Sequence, residues 1–182
     1  MKWTVPDPQN AGFTQFCDFI RRSAVRPAAG LSASTHQHHL EVLEVPVIPQ
    51  AGAMLGSCWF NCFEHMLANG GDVLFGWALW HQDRTYFGQH HAIWRGEQGQ
   101  LLDPTPNVVG GEHILFMPDN RAPFDIEKLR SPFSVSWRSD CQWSWVAADG
   151  TQVDEFYIAA MEPTPAQQTR IDRIRQQLKL RK

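Results

Sequence analysis

Residues 73–80 are an unbroken apolar run, Val-Leu-Phe-Gly-Trp-Ala-Leu-Trp. A stretch so short and so apolar suits a strand covered on both faces, with Gly76 inside it. Residues 85–95 and 100–103 follow as a second pair of strands, joined around Gly96-Glu97-Gln98-Gly99. The chain must therefore build around a sheet. Before it, residues 10–22 read as a helix, with Phe13, Phe16, Cys17 and Ile20 spaced along one face. Residues 24–39 are loop-like, and residues 40–48 alternate apolar and charged side chains, as an edge strand does. Residues 58–69 form a second helix, stopped by Asn69-Gly70-Gly71. Further strands are expected at 112–117, 133–138 and 153–161, and Pro163-Thr164-Pro165 opens a terminal helix over 164–180. No repeat or Gly/Ser-rich linker divides residues 1–182. The expectation is one α+β domain, with its core at about 40–161.

The composition narrows the function. Apolar residues make up 43% of the 182 and charged residues 19%, which describes a globular chain. A net charge of −3 offers no basic face for phosphates, so nucleic acid is not an expected partner. The basic C-terminal residues Arg170, Arg173, Arg175, Lys179, Arg181 and Lys182 read as a solvated helix face. Four cysteines are too few for a disulfide scaffold at this length. No stretch reaches the ~18 apolar residues of a membrane span, and residues 1–8 lack the apolar core of a signal peptide. A cytoplasmic setting is the expectation, with delivery by a signal-less secretion machine the alternative.

The chemistry concentrates in three short segments. At about 100° per residue, Trp59, Cys62, Phe63, Met66 and Leu67 share one helix face, with Asn61, Glu64 and Ala68 opposite. Cys58 falls at the edge of that stripe in the first turn, where unpaired N–H groups and the helix dipole favour a thiolate. Cys62 points inward as a small buried hydrophobe. Downstream, His90 and His91 point to opposite faces of one strand, so only one can serve a given site. A three-residue hairpin loop, the commoner solution with a closing glycine, puts Asp103 on the face of His91, whereas a two-residue loop at Glu97-Gln98 would put it with His90. Asp103 is held extended by Pro104 and would orient the ring.

His91-Ala92-Ile93-Trp94, a turn, and Leu102-Asp103-Pro104-Thr105 resemble the His-Ala-Trp … Asp-Pro-Thr segment of transglutaminase-like cysteine enzymes. The cysteine at an upstream helix start is similar to the core of the wider papain-like superfamily. The likeness covers about residues 55–106. It implies a cysteine-bearing helix packed on an antiparallel sheet, with Cys58, His91 and Asp103 as nucleophile, base and orienting acid. Cys58 is followed by Trp-Phe-Asn rather than by a familiar extended signature. Gln50 is the candidate oxyanion donor, beside the backbone N–H of Cys58.

The expected activity is a cysteine hydrolase or acyl transferase working on an amide or thioester through an acyl-enzyme. Its substrate would be a peptide, a protein or a small molecule, and no cofactor is required. Trp59, Asn61, Trp77, Trp80 and Trp94 are candidates to line the substrate cleft. Two other classes compete: a binding module with a tryptophan-lined groove, and a zinc protein using Cys58, Cys62 and His65. The His36-Gln37-His38-His39 cluster reads as a surface loop. Neither the acceptor, water or amine, nor the oligomeric state is set by these residues.

Overall fold

A computed structural model describes residues 2–22, 41–107, 109–119, 123–132, 134–138, 144–146, 152–153 and 158–180. In chain order its elements are α1 (Ala11–Arg22), β1 (Leu43–Pro46), α2 (Cys58–Asn69), β2 (Asp72–Gln82), β3 (Thr85–Arg95) and β4 (Leu101–Leu102). Then come β5 (His113–Pro118), β6 (Arg130–Pro132), β7 (Val135–Arg138), β8 (Ser144–Val146), β9 (Gln152–Val153), β10 (Ile158–Ala160) and α3 (Pro165–Leu180). The class is α+β. The main sheet runs β1-β5-β2-β3-β7-β8-β9, with β4 also on β3, and every pair is antiparallel.

The apolar run lies inside β2, paired on both sides, and its alternate residues feed two separate cores. Trp77 and Leu79 join the α1 residues Phe13, Phe16, Cys17 and Ile20, together with Leu115, Met117 and Val135. Ala78 and Trp80 face the other way, toward Val45, Ile93, Ile114 and Phe116. A strand serving both faces needs apolar residues at every position, which is why no alternation is visible in its sequence. Gly76 has a steric reason to be glycine. A Cβ there would collide with the Met117 carbonyl and come within 2.8 Å of Pro118 Cα on β5.

A third core joins α2 to α3. Phe60 and Phe63 of α2 pack with Phe124, Ile126, Ile171 and Ile174. The terminal helix is thus docked, and its basic residues are not a solvated face throughout. Arg175 donates to the Ile126 and Glu127 carbonyls, and the Arg170 side chain is only 10% exposed. The other strand expectations are met where the chain is described. Of the strand expected over 153–161, Val153 lies in β9 of the main sheet and Ile158–Ala160 form β10, which pairs with β6 in a two-stranded sheet, while residues 154–157 lie outside the described residues. Of the stretch expected at 133–138, Val135–Arg138 form β7 of the main sheet, and residue 133 lies outside the described residues. Among the described residues, no helix is long and apolar enough to cross a membrane.

Candidate active site

The hairpin register places His91 and Asp103. Arg95 pairs with Leu101 and Trp94 with Leu102, and Gly96 N–H bonds the Gln100 carbonyl at 2.9 Å. The loop is therefore the three residues Glu97, Gln98 and Gly99, and Gly99 takes the positive φ of 85° that closes it. Continued by one step, this register sets Asp103 opposite Ile93 and diagonal to His91, on one face of the sheet. Asp103 is then locked by the end of β1. Its N–H donates to the Pro46 carbonyl at 2.9 Å, and its carbonyl accepts from Ile48 N–H at 3.0 Å.

Its two carboxylate oxygens are divided. Oδ1 accepts the Thr105 N–H at 2.9 Å, and Oδ2 meets His91 Nε2 at 2.8 Å. With Nε2 committed to the carboxylate, Nδ1 is the nitrogen left for the sulfur. Nδ1 is buried without a hydrogen-bond partner, and Cys58 lies close enough for its charge to act on the ring. An unformed bond of this kind is normal before a substrate closes a site. Burial disfavours a charged His91, but the charges of Cys58 and Asp103 and the hydrogen bond to Asp103 outweigh it. The His91 pKa is held well above the ordinary imidazole range. Cys58, His91 and Asp103 are 6%, 7% and 2% exposed, so these charges interact in a site almost closed to water.

The cysteine meets β3 where one side of the strand is open. On its outer side β3 pairs with β7 over 85–88 and with β4 over 94–95. Among the described residues no strand pairs with 89–93 there, and α2 packs against β3. A tryptophan N–H ties each end of the helix to the strand. Trp59 Nε1 donates to His90 Nδ1 at 3.2 Å, and Trp94 Nε1 donates to the Gly70 carbonyl at 2.8 Å. The rises match: eleven helical steps cover about 16 Å and four strand steps about 13 Å. His90 and His91 point to opposite faces, as expected, yet the first turn of α2 meets both, Trp59 engaging the first and Cys58 the second. Ser57 precedes the helix without a side-chain cap, so the first-turn N–H groups stay available to a negative charge.

The other two described cysteines are poor nucleophiles. Burial pushes the Cys17 thiol up to about 12, and burial, with the charges of Asp103 and Cys58, raises Cys62 well above the usual thiol range. Cys141 lies outside the described residues. Gln50 donates its side-chain amide to the Ile48 carbonyl at 3.3 Å, and its N–H bonds the Pro104 carbonyl at 3.1 Å. It lines a small cavity of about 160 Å³ with Asn61, Glu64 and His65, and Cys58 is not part of that lining.

The cleft candidates divide. Trp59 is half-buried beside Cys58 and stacks on Phe124 at 4.4 Å between ring centres. Trp77, Trp80 and Trp94 are corrections: all three are buried in the cores, with Trp77 Nε1 bonded to Asp119 at 2.9 Å and Trp94 tied to Gly70. Their rings are taken up by packing and by these bonds within the protein. Asn61 is a correction too. It is buried rather than turned to the open side of α2, because α3 and the turn at Thr105 cover that side. The zinc ligand set does not assemble: among the described residues no three His, Cys, Asp or Glu side chains converge on one point. His65 instead packs edge-on to Trp94 and contacts Asn69. The His36–His39 cluster lies outside the described residues.

No protein-family model, curated protein or solved structure matches this chain. Three neighbours of the triad escaped the sequence: the Trp59–His90 bond, Thr105 on Asp103, and Arg170 on Asn61. Only Thr105 had a visible signal, its position in Asp-Pro-Thr.

Proposed function

We propose that the protein is a cysteine-dependent hydrolase or acyl transferase acting on an amide or thioester, with a papain-like or transglutaminase-like arrangement of Cys58, His91 and Asp103. One observation carries this reading: His91 gives Nε2 to the Asp103 carboxylate at 2.8 Å and turns Nδ1 toward a cysteine in an uncapped helix turn. In this chemistry the Cys58 thiol proton passes to His91 Nδ1, and the sulfur attacks the substrate carbonyl carbon. The oxyanion is met by first-turn N–H groups. Collapse breaks the C–N or C–S bond, and the leaving amine or thiol takes the proton from His91. An incoming water or amine gives that proton back as it attacks the thioester, releasing product and free thiol.

The test is to incubate the protein with peptide, glutamine-amide, thioester and cell-wall fragments, with Cys58→Ala as control. An acyl adduct on Cys58 by mass spectrometry, absent from the control, is the expected result. His91→Ala should slow alkylation of Cys58 near neutral pH, and His90→Phe should affect it far less. No adduct with any substrate, together with a His91→Ala protein that alkylates at the wild-type rate, would end the proposal.

A further inference from the structure

The side of α2 turned away from the Phe60 core carries one fully used polar group. Asn61 Oδ1 accepts the Met54 N–H at 3.1 Å and Arg170 Nη2 at 2.7 Å, and its Nδ2 donates to the Met54 carbonyl at 2.8 Å and to Thr105 Oγ1 at 3.2 Å. Two lone pairs and two N–H groups are all the amide has, and all four are engaged. The orientation is forced, because a flipped amide would point its N–H groups at two donors. These bonds join three parts of the molecule. Met54 lies in the loop that leads into Cys58, Thr105 follows the orienting Asp103, and Arg170 belongs to α3.

We infer that Asn61 and Arg170 are positioning residues, a clasp by which the terminal helix fixes the first turn of α2, and with it the Cys58 sulfur, against the His91–Asp103 pair. The inference rests on the proposed role of that triad. Arg170 is itself held in place. Its guanidinium lies 5.8 Å from the centre of the Phe60 ring, and Nη2 also bonds Glu64, whose carboxylate is shared with Arg173. Nη1 is buried without a hydrogen-bond partner. An arginine kept so deep with one nitrogen unpaired is held for what its other nitrogen does. That nitrogen orients Asn61. The His91–Asp103 pair is set by the β3–β4 hairpin and the end of β1, and Arg170 bonds neither residue. Loosening the clasp should therefore move the sulfur and leave the pair intact.

The experiment compares Arg170→Met, Arg170→Lys and Arg173→Met for the rate of Cys58 alkylation by iodoacetamide at neutral pH. The downfield proton resonance of the His91–Asp103 hydrogen bond and circular dichroism are recorded on each. Arg170→Met should alkylate about tenfold more slowly with the resonance retained, since a displacement near 1 Å is enough to cost that much. Arg170→Lys, which can still donate to Asn61, should recover most of the rate. Arg173→Met, which removes a partner of Glu64 but none of Asn61, should match the wild type. An unchanged rate in Arg170→Met, or equal slowing in Arg173→Met, overturns the inference. If Arg170→Met does not fold, Asn61→Asp serves: it keeps the acceptor for Arg170 and loses both donors, and a wild-type rate there is equally fatal. Failure of the triad reading looks different, since His91→Ala would then leave the alkylation rate unchanged whatever Arg170 does.

Discussion

Replacing Asp103 by asparagine tests the triad with the smallest change in shape. Asp103 Oδ1 accepts the buried Thr105 N–H and Oδ2 faces His91 Nε2. An amide has only one oxygen for these two tasks. With that oxygen on His91, the NH2 group confronts the Thr105 N–H and leaves a buried donor unpaired, at about 1–3 kcal/mol. The opposite orientation is therefore favoured roughly 5- to 150-fold. It points NH2 at His91 Nε2, which must then give up its proton and accept. The ring keeps its proton on Nδ1, the nitrogen beside Cys58, and can no longer take one from the thiol. Loss of the carboxylate charge adds to this, and turnover should fall by up to about 10⁴-fold, the loss known for a triad base held in the wrong tautomer, with alkylation slowed in the same direction.

The same substitution has a signature in stability. The folded-state pKa of His91 is raised, so its interactions stabilise the fold fully below the unfolded value near 6.5 and less as pH climbs through the folded value. Each tenfold gain in proton affinity is worth about 1.4 kcal/mol. Urea denaturation should thus find the wild type ahead of Asp103→Asn by the largest margin near pH 6, with the gap narrowing in alkaline buffer. Iodoacetamide labelling followed by mass spectrometry gives the rate. A folded Asp103→Asn protein that labels at the wild-type rate, or a stability gap that widens with pH, refutes the reasoning.

Two more outcomes follow from burial and packing. Under limiting iodoacetamide Cys58 should label before Cys17 and Cys62, whose thiols are pushed up by burial, and peptide mapping that finds Cys62 first removes Cys58 as nucleophile. Gly76→Ala should cost at least about 2–3 kcal/mol in thermal or urea unfolding, at the upper end of overpacking penalties, because the colliding atoms are β5 backbone; a loss below about 0.5 kcal/mol, the range of ordinary surface changes, would mean that β2 and β5 are not so close.

What the sequence disclosed was what short-range geometry controls. The Gly99 turn sets the register of β3 and β4 within a few residues, and that register alone brings Asp103 to His91. Helix boundaries were legible for the same reason, since caps and stripes are local. The tryptophans misled because an apolar ring reads alike whether it lines a cleft or fills a core. Only the pairing of β2 with β3 and β5 puts Trp77 and Trp80 inside. Arg170 was invisible for a related reason. It meets Asn61 across 109 residues of chain, and helical periodicity placed both on polar, outward faces. A helix covered on two sides defeats a one-stripe reading, because its second contact is polar and carries no apolar signal.

The placement of α2 also changes what two adjacent histidines mean. The body of the helix packs on the His90 face, Phe63 meeting Phe75 and His65 meeting Trp94. Among the described residues β3 has no strand partner between β7 and β4, and there the first turn of the helix reaches one residue on each face. His91 receives the sulfur, while His90 accepts the Trp59 N–H inside an aromatic surround of Trp59, Phe75 and Trp77. A bond from Trp59 requires the His90 Nδ1 lone pair, so His90 is held with Nδ1 unprotonated while His91 is biased toward its charged form. One helix turn thus gives two neighbouring rings different partners. In the proposed chemistry the ring that handles the proton is the one on the side of Asp103.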